Sequence, residues 1–81
     1  MKNKKVIVVG GSRGIGAGVV DKFVSLGVKV YYFSRNERKN IANVIASNAT
    51  HINVDLHSAN SILEGFNSYD NNENHLDILV N

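Results

Sequence analysis

Val6-Ile7-Val8-Val9-Gly10-Gly11-Ser12-Arg13-Gly14-Ile15-Gly16 decides the fold. Four β-branched residues in a row, with no polar alternation, predict a strand buried on both faces, as in a parallel sheet. Gly10 through Gly16 is the turn behind it. Ile15, Val19 and Phe23 then recur at i, i+4 and i+8, with Val20 and Val24 beside them. That stripe predicts a helix of about three turns. Gly27 is placed to close the helix in a left-handed conformation.

The same alternation continues outward. Val28 to Phe33 is dense in β-branched and aromatic residues and predicts a second strand. Arg38 to Ser47 reads as a second helix with Ile41, Val44 and Ile45 facing inward, and Thr50 to Val54 as a short third strand. Ser58 is an N-cap candidate for a third helix carrying Ile62, Leu63 and Phe66. Tyr69 to His75 is polar and predicts a mobile loop before a fourth strand, Leu76 to Val80. Strands alternating with helices imply an α/β fold with right-handed crossovers: a Rossmann-type, doubly wound parallel sheet, β-α-β-α-β-α-β, with strand order 3-2-1-4. The 81 residues suffice for one small domain.

A glycine-rich turn between strand and helix is a phosphate site. The helix N-terminus offers unpaired N–H groups and the positive end of its dipole. Gly10 permits the tight turn, Gly14 a close backbone approach to a pyrophosphate, and Gly16 close packing of helix on strand. The glycines read G-x-x-x-G-x-G. Gly11 and Gly16 have the spacing of an NTPase phosphate loop, but Ala17 stands where its lysine belongs.

Three segments carry a resemblance. Val9 to Gly16 resembles the T-G-x-x-x-G-I-G fingerprint of the short-chain dehydrogenase/reductase family, with Val9 in place of the usual threonine. Asn53-Val54-Asp55-Leu56 is similar to the segment in which that family contacts adenine through an aspartate and the following backbone N–H; Asp55 and Leu56 are the matching positions. Leu76-Asp77-Ile78-Leu79-Val80-Asn81 resembles the start of the family's L-D-x-L-V-N-N-A-G motif, with Asn81 at the strand's carboxyl end. The resemblance implies dinucleotide binding through Gly10, Ser12, Arg13, Gly14, Ile15, Gly16, Ser34, Arg35, Asp55, Leu56 and Asn81. It implies hydride transfer between a nicotinamide and an alcohol or carbonyl in a full-length parent.

Cofactor choice is read after the second strand. NAD enzymes need a carboxylate there for the ribose hydroxyls, whereas NADP enzymes remove that charge and supply cations. Ser34 holds the position, Arg35 follows it, and Arg13 can reach the same phosphate, so the expected cofactor is NADP(H) rather than NAD(H). Glu37 is a carboxylate nearby, and Arg35 and Arg38 also fit a solvated loop and helix start.

Catalytic groups are not found. The family uses a Tyr-x-x-x-Lys pair and a serine, but Tyr31 is followed at four residues by Arg35, Tyr32 by Asn36 and Tyr69 by Glu73. The 81 residues are therefore expected to bind cofactor without turning over substrate, as the N-terminal part of an oxidoreductase. The alternatives are a non-catalytic dinucleotide-binding module and a truncated remnant with a structural or interaction role. His51, His57 and His75 lack metal-ligand spacing, and there is no cysteine, which suits a reducing cytoplasm. The net charge of +2 is not gathered on one element, so nucleic acid is not an expected partner. No apolar run could span a membrane or serve as a signal h-region. An unpaired fourth strand is expected to promote self-association.

Overall fold

The computed structural model describes residues 4–12, 14–39, 42–73 and 75–81. The element order is β1 (Lys5–Val9), α1 (Gly14–Ser25), β2 (Lys29–Ser34), α2 (Asn43–Asn48), β3 (Ala49–Asn53), α3 (Ala59–Asn72) and β4 (Ile78–Val80). All pairings are parallel, and the strand order is β3-β2-β1-β4, as the alternating sequence pattern predicts. The register sets Val6 beside Val30 and Ile78, and Val8 beside Tyr32 and Val80.

Period-2 alternation sends the β-branched run of β1 to two cores. Val6 and Val8 join Val28, Val30 and Tyr32 beneath α1, which contributes Val20 and Val24; Ile45 of α2 packs on the same side. Ile7 joins Tyr31, Phe33, Val54 and Tyr69 on the opposite face, where Ile62 and Phe66 of α3 cover it. Each fully buried side chain of this kind contributes about 1.5–3 kcal/mol. Two helices on one face and one on the other is the arrangement expected for a doubly wound sheet.

Gly27 ends α1 as expected. It has φ 80°, its N–H donates to the Val24 carbonyl, and the Val28 N–H donates to the Phe23 carbonyl, a Schellman closure. Ser58 caps α3 by accepting from the Ser61 N–H at 3.2 Å.

Several expectations need correction. The second helix does not start at Arg38 but at Asn43, because side-chain bonds hold the stretch around Arg38 in a loop. Val44 is 63% exposed rather than inward-facing, and Ile41 lies outside the described residues. Ile15 is 89% exposed: the buried stripe of α1 begins only where the helix has passed the loop. Leu63 is likewise exposed, on the outer side of α3. The segment from Tyr69 is helical to Asn72, not a loop. Tyr69 is buried, its ring meets that of Tyr31 edge-on at 4.8 Å, and its hydroxyl donates to the His75 carbonyl, so packing overrides the polar composition. β4 starts at Ile78, not Leu76, since the pairing opens with Asp77 N–H donating to the Lys5 carbonyl at 3.0 Å. No helix among the described residues is long and apolar enough to cross a membrane.

Candidate dinucleotide-binding site

A cleft of about 840 Å³ lies at the carboxyl ends of the strands. Gly10 and Ser12 line it from the loop after β1, Ser34 to Lys39 from the loop after β2, and Val54, Leu56 and His57 from the segment after β3. In parallel sheets this edge is where ligands bind, because the strand order reverses there and the loops part.

The loop after β1 is shaped by its glycines. The Gly10 N–H still pairs with β2 through the Phe33 carbonyl at 2.7 Å, and φ of 86° then turns the chain. Gly14 opens α1 with φ 63°, and a Cβ there would meet nothing within 4 Å. Gly16 is different: a Cβ would collide with the Gly10 carbonyl. The close approach it permits is therefore to the loop itself, at the end of β1. Gly11, weighed in the sequence only for its phosphate-loop spacing, has a packing role: a Cβ on it would stand 2.6 Å from Tyr32 Cβ and 2.9 Å from Val20 Cγ2. The signal was present as a second adjacent glycine. The result is a helix N-terminus facing open space, flanked by the exposed Ile15. Arg13 lies outside the described residues.

The loop after β2 holds the charge. Ser34 is buried (5% exposed), and its hydroxyl donates to the Asn36 carbonyl at 2.7 Å. His51 Nε2 lies 2.8 Å from the Ser34 carbonyl and 3.0 Å from its Oγ. A carbonyl can only accept, so Nε2 carries the proton. Arg35 is exposed on the cleft, with no ion pair among the described residues. Glu37 and Lys39 are exposed beside it. Arg38 also reaches the cleft but is engaged by Asp21 at 2.6 Å.

Two expected site residues are less directly placed. Asp55 is half-buried; one carboxylate oxygen accepts the His57 N–H at 2.9 Å and its own N–H donates to Ser61 Oγ at 2.8 Å. It shapes the turn into α3, while its neighbours Val54 and Leu56 line the cleft. Asn81 follows β4 at the carboxyl end of the sheet, exposed and outside the cleft lining. Sequence reasoning missed Asn36, Lys39 and His57 as lining residues, because only the folded loops bring them to the cleft. No group of three or more His, Cys, Asp or Glu able to hold a metal occurs among the described residues.

The arrangement fits a nucleotide with phosphates: a helix N-terminus and glycine loop at one end, an arginine- and lysine-bearing loop at the other. Comparison with known proteins agrees with the fold. The chain is 34% identical over 83 residues to 3-oxoacyl-(acyl-carrier-protein) reductase FabG of Chlamydia pneumoniae, covering 96% of this chain and 34% of that protein. It superposes with a TM-score of 0.82 and 26% identity on a short chain dehydrogenase from Leptospira borgpetersenii solved with bound NAD+, covering 100% of this chain and 31% of that one. It superposes with a TM-score of 0.83 and 26% identity on the Pseudomonas aeruginosa RhlG/NADP active-site complex, covering 100% and 33%. The chain thus spans about a third of the length of these relatives. The profile of the short chain dehydrogenase family matches residues 4–81, nearly the whole sequence, and on that match, with the sheet order and glycine loop behind it, the chain belongs to the short-chain dehydrogenase family.

Proposed function

We propose that the chain binds NADP(H) across the cleft, as the dinucleotide-binding part of an oxidoreductase acting on an alcohol or carbonyl. The observation that carries the reading is the pairing of an open helix N-terminus at Gly14 with an exposed Arg35 beside Ser34, its side chain without an ion pair among the described residues. Gly10, Ser12, Arg13, Gly14, Ile15 and Gly16 take the pyrophosphate. Arg35 takes the ribose phosphate and Ser34 keeps a carboxylate away; the sequence motif gives Arg13 the same phosphate, though it lies outside the described residues. Val54 and Leu56 flank the adenine, Asp55 gives it a polar edge, and Asn81 approaches the nicotinamide side. The relatives support the cofactor class, one solved with NAD+ and another with NADP; the choice between them rests on this chain's own residues. The dinucleotide would supply hydride. The Chlamydia relative, a 3-oxoacyl reductase by name, makes a carbonyl the natural substrate class.

The experiment compares dissociation constants for NADPH and NADH. A charge-assisted hydrogen bond contributes about 1.5–3 kcal/mol, so NADPH should bind roughly ten- to hundredfold more tightly. Equal affinities would overturn the NADP reading.

The 81 residues contain no Tyr-x-x-x-Lys pair, and this favours a second reading for the chain by itself: a dinucleotide-binding module without turnover. Acid catalysis is worth typically 10²–10⁴-fold, and nothing here supplies it. NADPH oxidation over a carbonyl panel should show no rate above background, and robust turnover would refute this. We further propose that the chain self-associates and works in the cytoplasm, the latter suited to its lack of cysteine.

A further inference from the structure

The loop after β2 is fastened at several points. The Ser34 hydroxyl donates to the Asn36 carbonyl at 2.7 Å, and the Asn53 side-chain amide donates to the Arg35 carbonyl at 3.1 Å. The Arg38 backbone N–H donates to the Tyr32 hydroxyl at 3.3 Å. The strongest fastening is the Arg38 guanidinium, whose two terminal nitrogens reach the two Asp21 carboxylate oxygens at 2.6 and 3.4 Å. Its side chain is only 14% exposed, although it borders an open cleft. Arg35, three residues earlier, has no such partner among the described residues.

We propose that the Asp21–Arg38 ion pair is a clasp that determines cofactor discrimination: it fixes the loop after β2 to helix α1, leaving Arg35 as the arginine that meets the ribose phosphate. The inference deepens the NADP reading and rests on it. A planar fork on a carboxylate sets orientation as well as distance, which a point charge does not. Asp21 sits on α1, the helix that follows the glycine loop whose Gly10 and Ser12 line the cleft. The clasp therefore holds the two anion-binding ends of the site at a constant spacing. Arg38 is a positioning residue here, not a ligand. The competing assignment, in which Arg38 binds the phosphate and Asp21 merely occupies it beforehand, predicts the opposite sign.

The test measures NADPH and NADH dissociation constants for the 81-residue chain, Asp21→Asn and Asp21→Glu, with folding checked by circular dichroism. A partly exposed ion pair is worth up to about 1 kcal/mol, so Asp21→Asn should weaken NADPH roughly two- to fivefold. NADH affinity should not change, and Asp21→Glu should restore NADPH affinity. Tighter NADPH binding by Asp21→Asn, or an unchanged NADPH-to-NADH ratio, overturns the clasp. Should Asp21→Asn not fold, Tyr32→Phe, which keeps the core volume, must shift the ratio the same way, and a constant ratio there is equally fatal. If the unmutated chain shows no NADPH preference, the underlying cofactor reading fails first and the clasp with it.

Discussion

Gly16 faces Gly10 with no room for a side chain between them: a Cβ would collide with the Gly10 carbonyl oxygen and come within 3.0 Å of its carbon. Gly14, two residues earlier, has open space instead. One glycine is required by packing of helix on loop, the other by its φ of 63°.

The two glycines should therefore separate folding from binding. Gly14→Ala places a side chain in the left-handed region, at a cost of about 1–2 kcal/mol. It should still fold, yet lose NADPH affinity tenfold or more, because its Cβ stands in the approach to the pyrophosphate. Gly16→Ala must displace backbone, so its melting point should fall much further. Urea melts with NADPH titrations on both variants check this; equal loss of stability would remove the distinction.

Arg35→Ala should reduce NADPH affinity at least tenfold and leave NADH affinity unchanged, the size of one charge-assisted bond. Glu37→Gln should act in the opposite direction, strengthening NADPH, since its carboxylate shares the cleft with Arg35. Calorimetric titration of both variants decides. A Glu37→Gln variant that weakens NADPH would mean that the carboxylate positions the loop rather than opposing the phosphate.

How much of this was legible in the sequence depends on the range of the cause. The strand order and the two cores follow from local patterns, because β-branched runs and a 3.6-residue stripe report burial directly. The end of α3 did not follow: Tyr69 is held by Tyr31, which lies 38 positions earlier in the chain, and local polarity gave no sign of it. The start of α2 failed for the same reason, since Asp21 holds Arg38 from another element. Gly65 shows the limit for glycines. A Cβ there would stand 2.6 Å from Val54 Cγ2, a close approach of α3 to the sheet that no motif announces. At the site, residue types were legible and commitments were not. Asp55 is expected to contact adenine, and no local pattern announces that one of its carboxylate oxygens also accepts the His57 N–H of a turn.

Stability should fall at both ends of the pH scale through one cluster at the amino ends of the strands. Glu73 accepts from Lys29 at 2.5 Å and from the Tyr31 hydroxyl at 2.8 Å, with Lys5 at 3.9 Å. The Lys29 hydrogen bond, then that of Tyr31, holds the Glu73 carboxyl below its usual range. A depressed folded value stabilises above the unfolded pKa of about 4.3, and that contribution is lost as pH falls through the folded value. The alkaline side has the opposite sign. Glu73 raises Lys29, burial and Glu73 raise Tyr31, and burial with Glu73 pushes Tyr69 up to about 12. These contributions are present below about pH 10 and disappear as pH climbs through the folded values. Glu73→Gln should flatten the acid limb, and Tyr69→Phe the limb between pH 10 and 12. Denaturant melts across pH give the result; an unchanged acid limb in Glu73→Gln would show that the cluster is not the source.

The purified 81-residue chain should self-associate through β4. Among the described residues the sheet order leaves β4 paired with β1 alone, so its outer edge presents unpaired backbone groups. Leu79 stands 51% exposed on this strand, and Leu76 just before it is partly exposed as well. An open edge with apolar side chains templates pairing with another chain, and proteins normally guard such edges with charge or cover. Here Ile78-Leu79-Val80 carries neither. A charge on the edge should restore solubility at little cost to the fold, because Leu79 packs weakly: Leu79→Lys should elute as a monomer and keep its melting temperature within a few degrees. Size-exclusion chromatography with light scattering across a concentration series reads the outcome. The unmutated chain should show a mass that rises with concentration, together with binding of a hydrophobic dye that Leu79→Lys reduces. A unmutated chain that stays monomeric at all concentrations would mean that the edge is too short to pair. An association that persists undiminished in Leu79→Lys would move the interface elsewhere, to the exposed outer side of α3 around Leu63.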